Sequence, residues 1–275
     1  MATITAPSLA SETIAHIGQF EVRNTLLMAW MAMAVLIGFA LVARSTGYKL
    51  IPGRLQAFAE IIVETLYDFF DSILQDNALT RRIFAMSATF FLFIVVGNWM
   101  GIFPGVGSIT IQGMHEGHET AIPLFRSMNA DANVTLAFSL ISVIVTQVLG
   151  IASLGIFTHA RKYIVAPWKS PVGFFVGLLE FVGEFARLIS FVFRLFGNIF
   201  AGEVLLVVVS FLVPYIVPIP FLGLEVFVGF IQALVFTMLT LSFIKMSVTH
   251  HGEHDEKHGT AEHGDIPPQI HGAPA

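Results

Sequence analysis

Cysteine is absent from the chain, which excludes disulfides, thiolate metal sites and thiol chemistry and leaves the redox compartment unread. Charge is scarce as well. Only 12% of the 275 residues are Asp, Glu, Lys or Arg, less than a soluble domain of this length uses to cover its surface. No G-x-x-x-x-G-K-[ST] pattern occurs, so this chain carries no nucleotide chemistry. The net charge of −5 forms no basic or acidic face of the kind that binds nucleic acid. The start, MATITAPSLASETIAHIGQF, has neither a basic n-region nor an apolar h-region. The expectation is therefore that no signal peptide is cleaved and that the first span serves as its own signal.

What is present is apolar sequence. Hydrophobic residues make up 55% of the chain, its mean hydropathy is +0.79, and the charges collect at a few junctions and one tail. Crossing roughly 30 Å of hydrocarbon takes about 20 apolar residues. Thr25–Ala43, Ile83–Phe103 and Val134–Phe157 each supply one span. The run from Pro171 to Val213 has no internal proline and exceeds any perpendicular crossing. It is either two tightly connected helices or one or two strongly tilted ones. After a turn at Pro214–Pro220, Phe221–Val248 returns across the membrane. The fold expected is an all-α integral membrane protein of five to six membrane helices that includes a long tilted helix hairpin. Leu55–Gln75 reads as an added amphipathic helix on the cytoplasmic surface. It carries Glu60, Glu64, Asp68 and Asp71 on one face and Phe58, Ile62, Leu66, Phe69, Phe70 and Ile73 on the other. Its acidic character favours a protein partner over anionic lipid.

Lys and Arg outside the spans orient the chain, because they are retained on the cytoplasmic side. Arg44, Lys49, Arg54, Arg81, Arg82, Arg161, Lys162 and Lys169 fall on one side together with Lys245 and Lys257, and only Arg23 and Arg126 fall on the other. This places the N-terminus outside and the C-terminus inside. Residues 1–24 are then an external segment, 25–249 the membrane domain and 250–275 a His-rich cytoplasmic tail. The tail's histidines, from His250 to His271, sit among Gly and Pro without a framework, so the tail reads as disordered and solvated, with at most weak metal affinity. His115, Glu116, His118 and Glu119 read as a wet external loop. Neither cofactor nor metal is implied.

An ionisable group in mid-span costs at least ~2.5–3.5 kcal/mol and needs a reason. At about 100° per residue, Glu180, Glu184, Arg187, Arg194 and Asn198 share one stripe, whereas Glu203 lies half a turn from Arg194. Glu225 and Gln232, seven apart, share a face of the last helix. Glu180, Glu184 and Arg187, near the cytoplasmic end, are as readily paired glue or snorkelling groups. Arg194 lies more than 20 residues into an apolar run and cannot be neutralised, so it must face water or a carboxylate. Gly197 and Gly202 remove bulk beside it, which suits a close helix.

The run Arg194-Leu-Phe-Gly-Asn-Ile-Phe-Ala-Gly-Glu203 resembles the signature of subunit a of rotary F-type ATP synthases. Ile51–Gln56, Asn129–Thr135 and Ile231–Thr240 resemble further segments of that family, and the likeness runs from about Tyr48 to Val248. It implies a stator subunit of the membrane sector that provides two aqueous half-channels and couples proton flow to ATP synthesis. It further implies that Arg194 faces a rotating ring of c subunits and that Asn198, Glu203 and Gln232 line the half-channels or assist the arginine. Glu225, where many members carry His, joins them, with Glu180 and Glu184 nearer the cytoplasm. Leu188 departs from a proline common in the family. The implied partners are the c-ring, the b-subunit peripheral stalk, other synthase subunits and membrane lipid, and the implied location is a bacterial cell (inner) membrane. A secondary ion transporter acting alone is the competing reading, against which stands the lack of an internal two-fold repeat. A non-catalytic scaffold leaves Arg194 unexplained.

Overall fold

A computed structural model describes residues 11–45, 53–103, 105–106, 109–115, 118–157, 159, 171–213 and 216–248. Its helices are α1 (Asn24–Ser45), α2 (Arg54–Leu74), α3 (Asn77–Ile102), α4 (Ala132–Leu154), α5 (Pro171–Leu212) and α6 (Pro218–Val248). All but α2 are long and apolar enough to cross a membrane, which makes five candidate spans. α5 settles the question left open by its sequence: it is one unbroken helix of 42 residues, about 63 Å at ~1.5 Å per residue. It forms a hairpin with α6 and cannot stand upright in a bilayer. α6 opens on Pro218 and Pro220, whose fixed φ and missing N–H suit a first helical turn.

The hydropathy pattern predicts no strands. Two short antiparallel hairpins are present, β1 (Thr13–Ile17) with β2 (Phe20–Arg23) and β3 (Thr110–His115) with β4 (His118–Pro123). The second contains the loop expected to be merely wet, though Glu116 and the tail 250–275 lie outside the described residues.

The core joins α2, α3, α4, α5 and α6 around Phe70, Ile94, Leu195, Phe236, Leu241 and Ile244, each no more than 1–2% exposed. Phenylalanine rings interlock edge-on across it. Phe90 meets Phe138 of α4 at 6.2 Å and Phe236 of α6 at 5.8 Å, and Phe191 of α5 packs on Phe236 at 5.1 Å. Hydroxyls fasten the same helices where hydrophobic attraction between them is weak: Ser142 of α4 and Thr240 of α6 share a 2.8 Å hydrogen bond. As its periodicity predicts, α2 buries Leu66, Phe70 and Leu74 and leaves Glu60, Glu64 and Asp68 exposed. Its C-terminal carbonyl at Ile73 accepts a 3.0 Å hydrogen bond from Lys245 Nζ of α6, a cation at the negative end of a helix dipole.

Two aspartates start helices. Asp76 accepts from the N–H groups of Ala78 and Leu79 at the head of α3, and Asp131 accepts from the Asn133 N–H at the head of α4. Asp131 is 5% exposed. Its other oxygen accepts from Ser11 Oγ and, at 2.9 Å, from Thr25 Oγ1, so one carboxylate ties the N-terminal hairpin, α1 and α4 together. Burial pushes this carboxyl up, but the hydrogen bonds from Ser11, Asn133 and Thr25 and the charge of Arg23 outweigh it and hold it below the usual carboxylate range.

A carboxylate with a depressed folded-state pKa contributes stability that is present above its unfolded pKa of about 3.9 and is lost as pH falls through the folded value. Asp131→Asn is therefore expected to cost about 1–3 kcal/mol at neutral pH. The gap to the unsubstituted protein should close below about pH 4, which thermal unfolding in detergent across that range measures.

Candidate functional site

The polar residues of α5 and α6 fall into two regions with a lock between them. The first is an open cleft of about 540 Å³ between the two helices, lined on α5 by Glu180, Arg187, Ser190 and Arg194 and on α6 by Leu239 and Phe243. Of the stripe read from helical spacing, Glu180, Arg187 and Arg194 line this cleft, and Glu184 and Asn198 do not. Within it the two arginines are held differently. Arg187 donates to both Glu184 oxygens at 3.0 and 2.9 Å and lies 3.7 Å from the Phe243 ring centroid, so its charge is balanced by a carboxylate and a π-face. Arg194 donates to Ser190 Oγ at 3.1 Å and stands 5.9 Å from the Phe191 ring. Among the described residues no carboxylate lies within ion-pair distance of it. Gly197, one turn on, has open space where a side chain would be, so the face beside Arg194 is uncovered.

The lock is an amide pair. Asn198 Nδ2 of α5 donates to Gln232 Oε1 of α6 at 2.7 Å, one turn beyond Arg194. Gln232 is 4% exposed, and its Nε2 has no hydrogen-bond partner.

The second region lies toward Leu212. Glu225 is 9% exposed with a buried, unpartnered Oε2, and it fits only because residue 202 is glycine. A Cβ there would sit 2.9 Å from Glu225 Oε1. The close approach expected at Gly202 is therefore made by a side chain of this chain's own hairpin. Glu203, half a turn round α5 from Arg194 as its spacing requires, points at a residue that helical spacing does not bring into the site. Arg126 Nε donates to both Glu203 oxygens at 3.0 and 3.1 Å, and Nη2 adds a third bond at 3.0 Å. The Arg126 side chain is 4% exposed and that of Glu203 26%. Removing one member of so buried a pair costs about 3–5 kcal/mol, because the other is left uncompensated.

From its sequence position Arg126 is only an external positive charge. The signal that could have found its partner is the segment after it, Ser127-Met-Asn-Ala-Asp131, which enters the helix bundle. Met128, Asn129 and Ala130 form a single 3₁₀ turn and are wholly buried. α3 receives this turn on two glycines: a Cβ on Gly101 would stand 2.6 Å from Ser127 Cβ and 3.0 Å from its Cα, and one on Gly97 would overlap Met128. Between them, Asn98 accepts from Asn129 Nδ2 at 2.7 Å and donates to the Gly229 carbonyl of α6 at 3.0 Å. Irregular backbone at membrane depth persists only where protein surrounds it, and here the glycine notch encloses the turn, whose Ala130 N–H donates to the Ser127 carbonyl at 3.1 Å. The described residues contain no cluster of His, Cys, Asp and Glu fit to hold a metal.

Known proteins resemble this chain over most of its length. A family model described as ATP synthase A chain matches residues 26–245. The protein named ATP synthase subunit a from Syntrophobacter fumaroxidans is 31% identical over 85% of this chain and 87% of its own length. That from Desulforamulus reducens is 32% identical over 84% and 81%. The one from Moorella thermoacetica is 29% identical over 86% and 96%.

The two close glycine contacts differ in what must give way. At Gly202 the neighbour is the end of a flexible side chain, and alanine improves helix propensity by up to ~1 kcal/mol, so Gly202→Ala is expected to keep thermal stability while displacing the Glu225 carboxylate. At Gly101 the neighbour includes backbone, and Gly101→Ala is expected to cost about 1–3 kcal/mol. Thermal unfolding of both variants checks the order.

Proposed function

Given that the chain belongs to the ATP synthase A chain family, we propose that it is the stationary proton-translocating subunit of a rotary synthase. In this reading Arg194 meets the carboxylates of a ring of c subunits. The observation that carries it is the isolation of Arg194. It is a permanent cation on a candidate membrane helix, it has no carboxylate of its own among the described residues, and it lies on a face left open at Gly197. A charge so placed is stabilised by a carboxylate that arrives from another subunit.

The chemistry follows from desolvation. A rotor carboxylate must be neutral to pass through lipid, since a bare carboxylate there is far too costly. Beside Arg194 the ionised form is favoured, so the carboxylate releases its proton to one aqueous path and takes another on leaving. The cleft lined by Glu180, Arg187 and Ser190 fits one path, with Glu184 balancing the charge of Arg187 in its wall. The region of Glu203 and Glu225 fits the other, and the Asn198–Gln232 amide pair separates them. Arg194 itself blocks a direct leak. The driving force is the transmembrane potential, ~2.3 kcal/mol per charge per 100 mV, together with the pH difference.

Orientation rests on the basic residues that flank the spans, and it places the cleft on the cytoplasmic side, the N-terminus outside and the C-terminus inside a bacterial inner membrane. The exposed acidic face of α2 and the peripheral-stalk b subunit are matched in this reading as docking partners. The membrane domain then spans residues 25–249. A transporter acting alone would bind its ion between repeated halves, and no other described helix matches the 42 residues of α5.

Arg194→Ala should assemble into the complex and lose proton-driven ATP synthesis, with a passive leak as the barrier between the paths is removed. Arg194→Lys should fail as well, because a desolvated lysine can shed its proton and lacks the planar fork. Proton flux and ATP synthesis in liposomes under an imposed potential test both, and unchanged synthesis in Arg194→Ala would end the assignment.

A further inference from the structure

We propose that Glu203 is the fixed counter-ion of Arg126 and not a proton carrier, that Arg126 is a positioning residue, and that Glu225 alone takes up and releases the proton in this region. This rests on the transport role argued above and divides labour between two carboxylates that family resemblance alone would treat as a pair.

The division comes from how each carboxylate is held. Both Glu203 oxygens accept from Arg126, three hydrogen bonds in all between 3.0 and 3.1 Å. Arg126 cannot give up its charge, so a proton placed on Glu203 would break a bidentate pair and leave a guanidinium that is 4% exposed without its anion. Glu225 is in the opposite situation. It is as buried as a core side chain, its Oε2 has no hydrogen-bond partner, and no cation among the described residues lies within ion-pair distance of it. Such a group is free to exchange a proton at the lowest cost to its surroundings.

The loop that carries Arg126 is built to hold it still. Gly101 and Gly97 of α3 admit Ser127 and Met128, and Asn129 is tied through Asn98 to Gly229. Gly229 lies on the same stripe of α6 as Glu225 and Gln232. The Arg126 guanidinium also lies 5.9 Å from the Phe200 ring of α5. One rigid insertion thus sets both the position of Arg126 and the register of the α6 face that bears Glu225. The groups around Glu225 are few. Glu203, on α5, follows Gly202, whose Cβ position lies 2.9 Å from Glu225 Oε1, Arg126 pairs with Glu203, and α3 presents the neutral Asn98 and Trp99, whose side chains donate to the Gly229 and Val226 carbonyls.

The test uses the complete complex in liposomes, with proton-driven ATP synthesis recorded against pH and Arg194→Ala as the control for the transport role itself. If that control still synthesises ATP, the transport reading fails whatever the other variants do. With the control inactive, Arg126→Gln and Glu203→Gln are each expected to slow synthesis about tenfold or more, because each leaves one buried charge unpaired. The double variant R126Q/E203Q, which removes both charges, should recover to within about threefold of the unsubstituted complex. The charge-swapped R126E/E203R serves as a second arm should a single variant fail to assemble, and it should also retain synthesis. Glu225→Gln should lose about tenfold or more. A double variant as slow as Glu203→Gln with a swapped pair equally slow, or a Glu225→Gln complex at full rate, would overturn the proposal.

Discussion

A guanidinium that cannot be discharged has to be answered wherever it is buried, and the membrane half of this chain is organised by three different answers. Arg126 receives a carboxylate from a helix 77 residues away in sequence. Arg187 receives one from its own helix, three residues back, together with an aromatic face. Among the described residues, Arg194 receives only a hydroxyl and a distant ring. The first two are closed circuits, in which Coulomb attraction and hydrogen bonds offset desolvation within the chain. The third is open among the described residues, and the face beside it at Gly197 is uncovered. The difference among them is a matter of neighbours, since the side chains are chemically identical.

The same constraint explains the irregular segment 126–131 inside the bundle. Backbone outside helices and strands carries unpaired N–H and C=O groups that lipid cannot satisfy, so a loop that delivers Arg126 to Glu203 must be walled in. Gly97 and Gly101 provide a notch one helical turn long, and Asn98, lying between them, reaches both the inserted turn and the Gly229 carbonyl. At the end of this insertion Asp131 caps α4 and collects Ser11 and Thr25. The N-terminal hairpin, α1, α3, α4 and α6 are thereby fastened to one stretch of six residues.

Hydropathy makes the spans legible to within a few residues, because about 20 apolar residues in a row are rare outside a membrane segment. The amphipathic α2 is legible for the same reason, its acidic and apolar faces separating at a 3.6-residue period. The cleft stripe and the opposed position of Glu203 also follow from helical spacing alone. Partnership across the chain does not. Nothing in the spacing of Arg126 and Glu203 marks them as a pair, and a positive charge before a span reads first as a topology signal. The β-hairpins escape notice because strands of four to six residues with mixed polarity carry little periodic signal. The unbroken α5 cannot be told from two helices by length, since only a proline or a capping glycine would mark a break.

That α5 is one helix matters for how its two polar regions relate. Nine residues separate Arg194 from Glu203, about 180° of rotation at ~100° each, so the cleft and the Arg126–Glu203 pair lie on opposite faces of one rigid rod. A kink or a loop between them would let those faces drift into line and join the two regions. With the helix intact, a proton moving along its surface must pass the level of Asn198, where the side chain is bonded to Gln232, and must cross from one face to the other beside Arg194. In the function proposed, a positive charge at that crossing repels a hydrated proton and attracts a carboxylate, which would discriminate between a leak and a carrier. Continuity of the backbone and the sign of one side chain act together there, and neither would suffice alone.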